Sequence, residues 1–189
     1  MKKIIAVVLS LVMLLTCAAA LAEAEAEQES LGVLKVPGAF DIRYSPLPDG
    51  YTINVYTQND MMILANIYTP DPKLPGMGLR ISFDDEWDGT ERLNDVSDED
   101  LEAIKDSFYI VADEMTFDIK ETAAGTKLLT VLVAGGQDAY VYTIYKSHEL
   151  EIQLVPGSEQ DELTAADIDR VVAFLSDMQF VPIETAAAE

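Results

Sequence analysis

Three residue types are nearly missing from these 189 residues: Cys17, His148 and Trp87 each occur once. A single cysteine excludes an internal disulfide and any thiolate cage for a metal. A single histidine excludes the usual zinc sets, which draw several ligands from nitrogen and sulfur. His148 cannot serve a hydroxyl nucleophile at Ser147 either, because neighbours on the tight turn "KSHEL" do not aim at each other; it reads as a surface turn residue. Positive charge is scarce, with 12 Lys and Arg against 34 Asp and Glu, a formal net charge of −22. That balance repels nucleic acid and anionic lipid and keeps the chain soluble. No glycine-rich loop runs into a helix pattern, so a phosphate cradle is not expected; Gly135-Gly136 reads as a hairpin turn.

What is present begins with an apolar leader, "MKKIIAVVLSLVMLLTCAAALA". Lys2 and Lys3 precede an apolar run, and Ala20-Leu21-Ala22 supplies small residues for a peptidase, so residues 1–22 read as a bacterial secretory signal peptide cleaved after Ala22. A retained membrane helix would want a basic flank, yet Glu23, Glu25, Glu27 and Glu29 follow. Lipidation at Cys17 is the other alternative, against which Leu14-Leu15-Thr16 offers no small residue just before the cysteine. Cleavage leaves 167 residues with 10 basic and 34 acidic side chains, a charge of −24, and no cysteine. Stability then rests on one core, which a chain of this length can bury. The expected organisation is an acidic disordered spacer over 23–39, a single domain over 40–181 and a flexible tail over 182–189. The expected location is secreted or on the extracellular side of the envelope, as a monomer without a membrane span after cleavage.

Within the domain the hydrophobic period changes twice. "FDIRYS" (40–45), "YTINVYT" (51–57), "MMILANIYT" (61–69) and "LRISF" (79–83) are β-branched or aromatic and alternate, as half-buried strands do. "PDPKLPGMG" (70–78) is a loop by its prolines and glycines. From Asp98 to Met115, Leu101, Ile104, Phe108, Val111 and Met115 fall at steps of three and four, one stripe of a helix. Four strands follow, at 116–122, 126–134, 138–146 and 149–155, joined by connections short enough to force antiparallel neighbours. Thr164 to Met178 returns to helical spacing, with Ile168, Val171, Val172, Leu175 and Met178 on one face. Ser97 with Asp100, and Thr164 with Asp167, mark the two helix starts as short capping boxes. The fold class is therefore α+β, a mostly antiparallel sheet packed by two α-helices. Tyr140, Tyr142 and Ile144 share one strand face and read as core, or as a partner-binding patch if that face is open. Met61, Met62, Met115 and Met178 read as packing.

Between Asp84 and Asp100 lie nine acidic residues and one cation, Arg92. Asp84, Glu86, Asp88, Thr90 and Asp95 occupy places one, three, five, seven and twelve of a calcium-loop pattern, with Gly89 at the sharp turn. Asp95 has a shorter arm than the bidentate Glu usual there, Arg92 puts a cation beside the site, and the loop follows a strand rather than a helix. The alternative is a charged strand-to-helix connection whose Asp98, Glu99 and Asp100 favour the positive end of the helix dipole. As a hydrolase site the cluster lacks the two carboxylates in unlike environments that such chemistry requires, and Trp87 is the one nearby residue able to line a sugar subsite.

The element order, with "FDIRYSPLPDGY" near the start and "LTAADIDRVVAFLSDMQF" near the end, resembles the PsbP-like fold superfamily, which includes small exported bacterial proteins. The resemblance covers residues 40–181 at the level of topology. It implies an antiparallel sheet sandwiched by helices and a non-enzymatic accessory or binding role; none of the superfamily's site motifs is matched, so no site residue follows from it. The hairpin at 51–69 reads as an addition to that fold. Three functions are carried forward: an exported non-catalytic domain that binds a protein or small ligand, a weak calcium-binding module using residues 84–95, and a carboxylate-dependent hydrolase. No catalytic or cofactor-binding residue is assigned.

Overall fold

The computed structural model describes residues 32–183, Ile110 and Asp113 excepted. The expected signal peptide with Cys17, most of the acidic spacer and the tail from 184 lie outside the described residues. The chain is α+β, with ten strands and two helices among the described residues. In order these are β1 (Gly32–Val36), β2 (Phe40–Tyr44), β3 (Thr52–Gln58), β4 (Met62–Tyr68), β5 (Gly76–Phe83), α1 (Asp98–Phe108), β6 (Met115–Glu121), β7 (Lys127–Val133), β8 (Ala139–Tyr145), β9 (His148–Val155), α2 (Ala165–Ser176) and β10 (Gln179–Pro182). Seven strands form one sheet in the order β3-β4-β5-β9-β8-β7-β6, every neighbouring pair antiparallel. A smaller sheet has the order β1-β2-β10. No described helix is long and apolar enough to cross a membrane.

Alternation along the strands divides the apolar side chains between two cores. On one face of the large sheet, Ile63, Ile67, Ile81, Leu150, Ile152 and Val141 pack with Phe40 and Ile42 of the small sheet and with Ile168, Val171 and Leu175 of α2. On the other face, Leu129, Val131, Tyr140, Tyr142 and Ile144 pack with Ile104 and Phe108 of α1. At about 1.5–3 kcal/mol per fully buried large apolar side chain, either interface outweighs the propensity of so short a helix. The caps work as their spacing predicts at the first link. The hydroxyl of Ser97 accepts from the Asp100 N–H at 3.1 Å and donates to its carboxylate at 2.7 Å. The buried Asp167 carboxylate accepts from the Thr164 N–H, the Thr164 hydroxyl and the Gln160 amide, at 2.9, 2.9 and 3.0 Å.

Five expectations need correction. The spacer does not reach residue 39: β1 alternates through "GVLKV" and buries Leu34 and Val36, so the domain starts earlier. Its end is also a strand: β10 pairs antiparallel with β2 through Pro182, which the edge position tolerates. The first helix stops at Phe108, with Val111 exposed and Met115 opening β6. Met115 packs on the α1 core from the sheet side, so the three-and-four spacing ran on past the helix onto a residue serving the same core. Finally, Met61 and Met62 are exposed, and His148 opens β9 with its ring edge-on to Phe40 and Phe83, at 5.4 and 5.5 Å between centroids.

The turn joining β7 and β8 fixes where α2 begins. Gly135 and Gly136 both have positive φ, 79° and 61°, and the Gly136 carbonyl accepts from the Leu163 N–H at 2.7 Å. A Cβ on Gly136 would lie 2.7 and 2.8 Å from the Leu163 backbone oxygen and nitrogen, whereas one on Gly135 would meet nothing within 4 Å. Gly135→Ala should cost about 1–2 kcal/mol for left-handed backbone alone. Gly136→Ala should cost about 1–3 kcal/mol more from overpacking, read as a clearly larger drop in urea midpoint.

Candidate functional site

Strand β9 carries the central residues of the site. Its sequence "HELEIQLV" alternates, burying Leu150, Ile152 and Leu154 against the small sheet and α2 while Glu149, Glu151 and Gln153 turn to the other face. Register sets their neighbours: Arg80 of β5 and Tyr142 of β8 flank Glu151, and Gly78 and Tyr140 flank Gln153. The guanidinium of Arg80 lies 3.5 Å from the Glu149 carboxylate and 3.4 Å from that of Glu151. Tyr142 donates its hydroxyl to Glu149 at 2.8 Å, and the Trp87 indole N–H donates to the same oxygen at 3.3 Å. Gln153 donates to the Asp138 carboxylate at 2.9 Å and to the Tyr140 hydroxyl at 3.3 Å.

Above this row α1 covers only part of the face, leaving a groove of about 800 Å³ between helix and sheet. Trp87, Phe108, Tyr140 and Tyr142 supply its aromatic surface, and Glu86, Asp100, Glu149 and Glu151 its carboxylates. Among the described lining residues Arg80 is the one cation, and both of its contacts are internal. Burial, reinforced by the Glu149 charge and the hydrogen bond to it, pushes the Tyr142 phenol far above its ordinary value of 10.0. Tyr142 is therefore a fixed donor that aims the Glu149 carboxylate.

The acidic loop reaches this groove without gathering its carboxylates. Asp84 caps the 3-10 turn Asp85–Trp87, accepting from the Glu86 N–H at 2.9 Å. Asp88 closes that turn, Thr90 donates its N–H to the Trp87 carbonyl, and Asp95 ends a second 3-10 turn, Leu93–Asp95. Gly89 does make the sharp turn, at φ 81°. Among the described residues no group of three or more His, Cys, Asp or Glu is placed to hold a metal ion. The loop folds instead around the β8–β9 hairpin, whose central residues Lys146 and Ser147 have φ of 48° and 61°. Such backbone costs on the order of 1 kcal/mol or more per residue bearing a side chain. It is offset by bonds to the loop: Asp84 N–H to Ser147 carbonyl at 3.1 Å, Gly89 N–H to Ser147 hydroxyl at 3.1 Å, and Ser147 N–H to Thr90 carbonyl at 2.9 Å. Of the five residues with calcium-loop spacing, Glu86 alone lines the groove. Arg80, Glu149 and Glu151 carry no motif; their signal was acids and an amide recurring at every second position of β9.

The chain matches no protein-family model and no curated protein.

The Tyr142 phenol has a clear consequence at high pH. Its folded value lies above the unfolded one, so its contribution to stability is complete below pH 10 and is lost as pH rises beyond it. Urea midpoints of the wild type should fall with pH above about 10, and fall less steeply in Tyr142→Phe.

Proposed function

We propose that the chain is an exported, non-catalytic binding domain, PsbP-like in type, whose α1 groove holds an organic cation such as an amine or guanidinium group. The observation that carries this reading is the pairing of aromatic walls with four carboxylates against one internally satisfied cation. A cation with an apolar stem is favoured there twice, by the carboxylates and by the half-buried Trp87 ring. Export is supported by the leader over residues 1–22. The large acid excess draws basic ligands toward the surface from a distance and speeds their encounter.

Binding fits better than hydrolysis for a specific reason. Glu149 and Glu151 share one guanidinium, at 3.5 and 3.4 Å, so neither has the unpaired apolar seat that a general acid requires. Calcium has less support than an organic cation, because the acids of residues 84–95 are spread over two turns and a hairpin contact.

Trp87 is the sole tryptophan and lies in the groove, so its fluorescence reports occupancy directly. Titration with a lysine-rich peptide, with spermidine and with calcium, each at low and high salt, separates the possibilities. The expected result is a saturable, salt-sensitive emission change with an organic cation, weakened about tenfold or more in Glu151→Gln. Peptide and spermidine arms distinguish a protein side chain from a free amine. A response to calcium alone, or none to either amine, contradicts the proposal.

A further inference from the structure

A second cavity, about 490 Å³, opens at the ends of β7 and β8, beneath the segment that leads from α2 into β10. It lies on the α2 side of the large sheet, across from the α1 groove, and stands independently of the reading above. We propose that it binds a small monocarboxylate with an apolar body, the carboxylate held by Arg92.

The placement of Arg92 follows from register. Arg92 and Tyr145 form an isolated antiparallel bridge. Directly paired residues of an antiparallel ladder project to the same face. Tyr145 belongs to the α2-side alternation of β8, so the Arg92 side chain is carried to the mouth of this cavity, which both residues line. Leu128, Leu175, Met178 and Phe180 make the walls apolar. Three of the hydroxyls there are already committed to backbone. Thr143 donates to the Lys127 carbonyl at 2.9 Å, Ser176 donates to the Val172 carbonyl at 2.8 Å, and Thr122 accepts from the Thr126 N–H at 3.1 Å.

Charge then decides the ligand class. Among the described residues Arg92 is the one ionised side chain lining the cavity, and no carboxylate lies within 4.0 Å of it. Its neighbour Glu91 is instead 4.0 Å from Lys146. In a chain with 34 acids, a guanidinium without an acidic partner over an apolar cavity favours an outside carboxylate. The volume falls within the range of about 300–1,000 Å³ typical of small-molecule sites and accommodates a chain of several carbons. Apolar walls exclude inorganic anions as good ligands, since these would lose hydration without gaining partners.

The test compares octanoate, octanol and octylamine on the wild type and Arg92→Gln, by amide chemical-shift mapping and calorimetry. Arg92 is exposed, so the variant should fold, and circular dichroism checks this. Octanoate should bind saturably and shift amides of residues 175–181. At those residues octylamine should bind at least about tenfold more weakly. Arg92→Gln should weaken octanoate about tenfold and leave octanol unchanged. The proposal is overturned by no saturable octanoate binding, by shifts confined to other parts of the chain, or by a variant that holds octanoate as tightly as the wild type.

Discussion

Everything distinctive here depends on how α1 sits on the large sheet. A helix of eleven residues is about 16 Å long and roughly 10 Å wide. Seven strands at about 4.8 Å spacing span roughly 29 Å. One short helix cannot cover that face. Ile104 and Phe108 commit α1 to β7 and β8, where Tyr140, Tyr142, Leu129 and Val131 wait. The β3, β4, β5 and β9 half of the face is left uncovered, with Asn66 and Tyr68 exposed and Arg80 partly so. The groove is the step between covered and uncovered halves. Tyrosines suit that step because their rings pack under the helix while their hydroxyls reach the polar row beyond it.

The acid excess acquires a local meaning at the same step. Many of the described carboxylates lie on solvated turns and helix faces, where they act as a diffuse field. Glu149 and Glu151 are different, because strand alternation repeats them on one face and register brings Arg80 between them. The loop from residue 84 adds Trp87 and Glu86, held in place by the strained β8–β9 hairpin. On the opposite side, the three-stranded sheet and α2 close the larger core and leave the Arg92 cavity at its end.

Period and punctuation made much of this legible in advance. The α+β class, the eight strands from β2 to β9 and the start of both helices follow from alternation, from three-and-four spacing and from Ser97 and Thr164. The strand "GVLKV" alternates over only five residues beside an acidic run, and "QFVP" is short and holds a proline; both are strands through pairing with β2 in the small sheet, which no local pattern announces. The end of α1 was hidden because Met115 keeps helical phase with Phe108 while belonging to β6. The acidic loop drew attention by charge density, yet its charges do not converge. The groove instead assembles from β5, β8 and β9, and that juxtaposition exists only once β5 pairs with β9 across a gap of more than sixty residues.

Native-state hydrogen exchange of the α1 amides tests the central claim, that this helix is docked firmly enough to make one wall of the groove. If docking on Tyr140 and Tyr142 holds, amides of Ala103 to Phe108 exchange only at the level of global unfolding, and Phe108→Ala releases them selectively. Exchange of those amides in the wild type at the rate of an isolated helical peptide would contradict the account.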